Sequence, residues 1–411
     1  MCHKIICVAL AAISVCDTGP VRADDLDKPM FSLSGFGSAG LVHSSENQAD
    51  FTSSYLKPNG VGYSHRWSAD VDSRIAAQVA ANLTPQLSAV VQVISEQRYD
   101  ATYRPIVEWA NVKYQVTPDL SVRIGRIALP TFLAPDYRKL GYALPWARTP
   151  TEVYNLEPIT SSDGVDLTYR LRIGDWKNTF QGALGKADIN YLDGHATARA
   201  IRGFSNTTEY DAASMRLSYV QGDLSADFAQ PLFDGFRQFG AQGNAIADRY
   251  DIKNTRMCFI SLAASYDPGD WFVTAEAIRS ATHSFLGDKS AWYVSGGYRI
   301  KKFTPYLILA QVRADSDTSD PGLSATRLQP QLAAVSAGLN AGLNGLLASF
   351  GEQKSVAVGM RWDFMKDAAV KLQYDRIMLG AGSPGNLILV QPGFHAGGTV
   401  NLFSAVLDFV F

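Results

Sequence analysis

The residues of this chain with the most to offer chemically are cations spaced along alternating segments. Arg74, Arg98, Lys113, Arg123, Arg170, Arg172, Arg216, Arg299 and Lys371 share a parity with polar rather than apolar neighbours. Gathered on one wetted surface, such a set would weight the approach of anions. Motifs for bond-breaking chemistry are weak beside it. Gly35-Phe36-Gly37-Ser38-Ala39-Gly40 has the spacing of a dinucleotide fingerprint, but Leu41 to Asp50 lacks the helical period that must open at the third glycine, so glycines within a strand account for it better. His43, His65, His195, His283 and His395 are scattered without metal-ligand spacing, and no G-x-S-x-G elbow occurs. Asp315, Asp317 and Asp320 read as a solvated acidic loop. No catalytic residue, cofactor or metal site is expected.

Composition narrows the class. The 411 residues carry 37 Lys+Arg against 39 Asp+Glu, and a net charge of −2 gives no footprint for nucleic acid. An apolar share of 46% with 11% aromatics excludes disorder. Charged residues make up only 18%, against about 25% in an average soluble domain, while mean hydropathy stays at −0.05. Met1 to Lys4 is a cationic start, Ile5 to Val15 an apolar run and Val21-Arg22-Ala23 a small-residue end, so residues 1–23 are expected to be a secretory signal peptide and 24–411 the mature protein. That leader holds three of the four cysteines, which leaves Cys258 and no disulfide framework.

The elements that must position the cations are strands. From Phe31 to Phe411, period-2 alternation runs in segments of about 9 to 13 residues, the length of a tilted strand crossing a bilayer. Val71, Ile75 and Val79 alternate with Asp70, Asp72, Arg74 and Gln78. Val165, Leu167, Tyr169 and Leu171 alternate with Asp166, Thr168, Arg170 and Arg172. Short turns are expected at 84–86, 117–119, 174–175, 221–223, 267–270, 301–302 and 365–367. Longer connections are expected near 44–68, 99–106, 130–162, 188–209, 231–255, 282–289, 315–353 and 379–398. Their regular alternation predicts an all-β, antiparallel, up-and-down transmembrane barrel of about sixteen strands. Tyr219, Tyr266, Trp271, Tyr298, Phe303, Trp362 and Phe364 are expected beside the short turns, as an aromatic girdle at a headgroup interface. The stretch Leu332 to Phe350 is expected to form a short helix that caps or enters the barrel.

The chain ends Phe403-Ser404-Ala405-Val406-Leu407-Asp408-Phe409-Val410-Phe411, with Phe403, Leu407, Phe409 and Phe411 on one parity. With its leader, strand count, long third loop and terminal aromatic, the chain resembles the Gram-negative outer-membrane porins, the sixteen-stranded trimeric channels. That resemblance implies an outer-membrane location, a homotrimer, and contact with outer-membrane lipid, lipopolysaccharide and the barrel-assembly machinery, which would read Phe411 as an assembly signal. It also implies passive diffusion of small hydrophilic solutes and ions, without chemistry.

By the same resemblance, the loop at about 130–162 folds inward and forms the constriction. Its five prolines from Pro130 to Pro158 and its aromatics Phe132, Tyr137, Tyr142, Trp146 and Tyr154 suggest a rigid segment packed against something. Enteric porins carry Pro-Glu-Phe-Gly-Gly here; this chain has Ala134-Pro135-Asp136-Tyr137 instead. The constriction candidates are Asp136, Tyr137, Arg138, Lys139, Arg148 and Glu152. The wall candidates are Arg74, Arg98, Lys113, Arg123, Arg126, Arg170 and Arg216, with Arg126 included despite its broken parity because Gly125-Arg126 ends a strand beside the loop. The mainly cationic wall keeps an anion- or carboxylate-selective channel open as an alternative, ahead of a barrel enzyme or a surface-binding barrel.

Overall fold

A computed structural model of the chain describes residues 29–192, 194–324, 329–349 and 351–411. The expected signal peptide, 1–23, lies outside them. Sixteen long strands build the molecule: β1 (Phe31–Ser44), β2 (Arg74–Asn82), β3 (Leu87–Glu96), β4 (Ile106–Gln115), β5 (Leu120–Ile127), β6 (Ser162–Ile173), β7 (Trp176–Tyr191), β8 (Gly194–Tyr210), β9 (Ala213–Ala226), β10 (Thr255–Tyr266), β11 (Trp271–Thr282), β12 (Lys289–Tyr298), β13 (Phe303–Ala314), β14 (Gln353–Met365), β15 (Ala368–Leu379) and β16 (Thr399–Val410). Each pairs antiparallel with the next. β1 pairs with both β2 and β16, placing Ser38 opposite Arg74 and Phe36 opposite Val410, so the sheet closes on itself. Closure leaves the barrel sheet without an edge.

Alternation sets the two faces. On β2, Ile75, Ala77 and Val79 are exposed outward while Ala76, Gln78 and Ala80 are buried inward. The same reading holds on β15, where Leu372 and Tyr374 point out and Lys371, Gln373 and Asp375 point in. An apolar exterior around a polar interior inverts the plan of a soluble domain and accounts for the low charge fraction. Among the described residues no helix is long and apolar enough to cross a membrane.

Seven short turns gather at one end, and small polar side chains close several of them: the Thr84 and Thr117 hydroxyls accept from the backbone N–H groups of Leu87 and Leu120. Two expectations need correction. Gln221-Gly222-Asp223 lies inside β9, and the turn falls at 211–212. Residues 188–209 are mostly strand, because β7 and β8 extend as a long twisted ladder with a bulge near Arg199. The Gly222-Asp223 pair has turn chemistry but lies in a strand, whereas the turn is made at Asp211, which takes a positive φ of 50°. Tyr219 therefore lies away from the turns, while Trp176 and Tyr210 stack at 4.6 Å beside one. Tyr266–Trp271 and Phe303–Trp362 continue that outward-facing girdle.

At the other end the loops pack on one another. The first and last loops share a core of Phe51, Val61, Leu387 and neighbouring strand residues. The fifth and seventh contain α2 (Gln230–Arg237), α3 (Gly240–Tyr250) and α4 (Pro330–Ala348), which with Phe285 and Leu323 enclose Phe233, Phe236, Leu343 and Leu347. The expected short helix is thus a 19-residue helix in the loop cap at this end of the barrel.

Candidate functional site: the lumen and its inward loop

The chain leaves β5 at Ile127 and returns at Ser162, so the third loop spans 128–161. It contains a 3-10 turn (Gly141–Ala143) and one turn of helix, α1 (Thr151–Tyr154). Its apolar side chains are core residues. Leu129, Phe132, Leu144, Trp146, Val153 and Tyr154 pack inside the barrel on Ile201, Val220, Phe259, Phe272, Tyr293, Tyr306 and Ile308. Leu140 and Tyr142 pack toward Phe36, Ala76 and Ile94 on the opposite side. A loop that buries this much apolar surface on both sides is held as firmly as a core element.

Polar tethers fix the loop's register around the wall. Thr131 O accepts from the hydroxyls of Ser218 at 2.5 Å and Ser261 at 2.6 Å, Pro130 O from Arg216 at 3.3 Å, and Glu276 Oε1 receives Leu133 N at 3.0 Å. Lys139 Nζ reaches Glu96 on β3 at 2.6 Å and Glu108 on β4 at 3.0 Å. Lys371 Nζ donates to Gly141 O at 2.6 Å and Trp146 O at 2.8 Å and lies 2.8 Å from Asp408. Arg361 donates to Tyr142 O and Leu144 O and stacks over the Tyr142 ring. Trp146 Nε1 donates to Ser295 Oγ at 2.6 Å. Arg148 completes the crossing, with Asp72 at 2.7 Å, Asp375 at 3.2 Å and Ser404 at 2.6 Å. Tethers on β9–β11 at one end and on β15–β16 at the other make the loop a strap across the barrel.

The expected site residues separate into tethers and wall. Lys139 and Arg148 are tethers; Arg138 spends its guanidinium on the loop's own carbonyls of Glu157 and Ile159. Glu152 is buried and accepts from Gln353 at 2.7 Å, and Tyr137 packs between the two apolar clusters. Asp136 is half-buried and borders a small recess with Gln92, Glu108 and Trp109. Arg216 lies beneath the strap with Thr207 as a second partner. Arg74 sits 3.8 Å from Glu96. Arg98 falls outside the strands, in the second loop, over the Tyr99 ring. Arg126 points outward: it shares the parity of Ile124 and pairs with Asp163 at 2.8 Å on the exterior. Its broken parity was the informative signal. Lys113, Arg123 and Arg170 face inward on adjoining strands β4, β5 and β6 and keep partial solvent access; Arg123 is oriented by a two-point pair with the buried Asp166.

Exposure around the wall is uneven. On β10–β16, the inward residues facing the strap, including Ser261, Glu276, Tyr293, Ser295, Tyr306, Ala357 and Gln373, are buried, whereas Lys113, Arg123, Thr168, Arg170, Thr179 and Gln181 on β4–β7 are only half-buried. The more accessible part of the inner wall is therefore the one that carries these cations. Sequence reasoning missed the acids that hold the strap, Asp72, Glu96, Glu108, Glu276, Asp375 and Asp408. Inward parity marks Glu276 and Asp375, but nothing local says which loop atom they meet.

Electrostatics in the strap follow from burial. Burial alone would raise the Asp72 carboxyl, but Arg148, by charge and hydrogen bonding, with Arg74 and Lys57, holds it below its ordinary value. Glu152 is pushed up by burial. Burial also pushes Glu157 up to about 7, only partly opposed by Arg138.

A scan of protein-family models finds no match, and no curated protein matches the chain. Solved structures do. The anion-selective porin from Comamonas acidovorans superposes with a TM-score of 0.56 at 13% identity, covering 93% of this chain and 99% of that one. Salmonella typhi OmpF in complex with daunomycin gives 0.55 at 13% identity, covering 93% and 97%. The outer membrane channel DcaP of Acinetobacter baumannii gives 0.54 at 11% identity, covering 93% and 97%. Closed sixteen-strand topology, outward girdle and inward third loop together give this chain the fold of the Gram-negative outer-membrane porins.

Proposed function

We propose that the protein is a passive diffusion channel of the Gram-negative outer membrane, admitting small hydrophilic solutes past the strap and favouring small anions. The observation that carries this reading is the uneven wall. Among the inward side chains of β4–β6 that stay half-buried, the charged ones are Lys113, Arg123 and Arg170, all cationic, with Arg123 held by the buried Asp166, so a solute passing along this wall meets net positive charge. Size selection comes from the strap, whose tethers keep it from yielding to a passing solute.

Two further parts of the reading concern the exterior. Among the outward residues of β1–β4, Ala39, Ala77, Val79, Ala89, Val91 and Val112 form a small, aliphatic and uncharged patch, which suits a flat contact between copies in a homotrimer. Arg256, Arg279 and Arg313 stand outward and exposed at the loop ends of their strands, at a level that suits the phosphate groups of lipopolysaccharide.

Purified protein in a planar bilayer tests the channel. Stable ohmic steps are expected, with a reversal potential of anion-preferring sign under a potassium chloride gradient; absence of any conductance overturns the reading.

A further inference from the structure

Closure leaves one ladder without a turn or loop. β1 meets β16 from opposite ends of the chain, with Ser38 and Asp408 370 positions apart, so side chains alone must set its register. The competing states are slips of two residues, because these preserve inward and outward faces.

Gly37 lies opposite Phe409, and a Cβ at Gly37 would overlap the Phe409 ring. Gly35 and Phe411 exchange both backbone hydrogen bonds, at 2.9 and 3.0 Å, and a Cβ at Gly35 would overlap the Phe411 ring. The two rings stack on each other, 6.4 Å between centroids. Inside the barrel, Ser38 Oγ donates to Asp408 at 2.5 Å. We propose that Gly35 and Gly37 form a receiving surface on β1 for a strand carrying aromatic rings two residues apart, supplied by this chain's own C-terminus. Seating of the rings in these notches, with the Ser38–Asp408 bond, sets the register in which the barrel closes.

Both slips are rejected by the same geometry. One places Phe409 against Ala39 with Phe411 at Gly37 and the other places Phe411 against Leu33 with Phe409 at Gly35, so each loses one of the two notches and sets that ring over a side chain. Either slip also separates Ser38 from Asp408. The glycine spacing that resembles a dinucleotide fingerprint thus has a mechanical use in the seam.

The test uses the full mature chain refolded into detergent in a Cys258→Ser background. Register is read by cross-linking Ala39→Cys with Leu407→Cys, which face each other in the observed ladder, against Ala39→Cys with Ala405→Cys, which face each other only after a slip. Folded yield is read by heat-modifiable gel migration. Gly37→Val is expected to lower the yield of in-register barrel by about tenfold, and adding Phe409→Ala is expected to restore most of it. Gly182→Val, at an outward glycine with open space around it, is expected to have little effect. A synthetic peptide of residues 399–411 is expected to slow refolding, and its Phe409→Ala, Phe411→Ala form is not. Unchanged yield and register in Gly37→Val overturns the proposal, as does failure of Phe409→Ala to rescue it.

Discussion

Arg148 and Asp72, 76 residues apart in the chain, meet inside the barrel as a two-point ion pair: Nε lies 3.0 Å from one carboxylate oxygen and Nη2 lies 2.7 Å from the other. The same guanidinium reaches Asp375 and Ser404 and lies over the Phe51 ring. One side chain therefore joins the third loop, the end of the first loop, β15 and β16. Desolvating these charges is costly, and what the arrangement secures is the position of the strap rather than a large net gain in stability.

Removing the cation should expose that cost. Arg148→Met leaves Asp72 and Asp375 buried without their partner and is expected to destabilise the barrel by about 3–5 kcal/mol. Thermal unfolding followed by circular dichroism measures it. Single-channel traces of the same variant should become noisier, because the strap loses its hold near β16 while its apolar packing persists. A quiet trace together with an unchanged midpoint would contradict the tether assignment.

The cationic wall makes a separable prediction. Arg170→Gln is expected to move the reversal potential toward cations with little change in folded yield, since the group retains water access; Arg123→Gln is expected to move it the same way at a cost in stability, because it leaves the buried Asp166 without its cation. Asp166→Asn should also perturb selectivity, because it releases the Arg123 guanidinium from its two-point partner. Arg126→Gln serves as the control. Its side chain lies on the exterior with Asp163, so ion preference should not move.

Glu157 predicts a pH dependence whose sign follows from linkage. Burial raises its carboxyl to about 7 from an ordinary value of 4.5, so the folded chain holds the proton more tightly than the unfolded one. Between about pH 4.5 and 7 the unfolded state binds fewer protons, and stability falls as pH rises through that window, by on the order of 3 kcal/mol in total. Above pH 7 the loss is complete and level. Glu157→Gln should remove this part of the slope and be more stable than the parent at pH 8. Melting midpoints at pH 5, 6, 7 and 8 for both proteins decide it; parallel curves would rule the assignment out.

How much of this was legible in advance depends on the range of the interaction. Period-2 alternation is local, so the sixteen strands, their two faces and most turns could be read from neighbours such as Ile75 and Gln78. The turn at Asp211 escaped because the Gly222-Asp223 pair is the stronger local turn signal, although it lies in a strand. The composition of the third loop announced that it packs against something. It did not announce that Arg148 and Lys139 are tethers, because their partners Asp72, Asp375, Glu96 and Glu108 come from four other segments, and a charge on a loop looks the same locally whether it faces water or a buried acid.

Gly141 offers the sharpest test of the strap's seat. It lies against β1 and β16 where a Cβ would overlap Asp408 and crowd the Ser38 hydroxyl, and its carbonyl accepts from Lys371 at 2.6 Å. Gly141→Ala must therefore push the strap away from the seam or displace Asp408 from Ser38 and Lys371. Asp408 is fully buried and paired with Lys371, so moving it would unpair two buried charges, whereas the 3-10 turn at Gly141–Ala143 has less to lose. The strap should yield first, toward the accessible wall at Lys113 and Arg123. Single-channel conductance of Gly141→Ala is then expected to fall below that of the parent, with a loss of about 1–3 kcal/mol in stability from overpacking. A higher conductance would mean that the strap moves the other way and that the passage does not run along the cationic side.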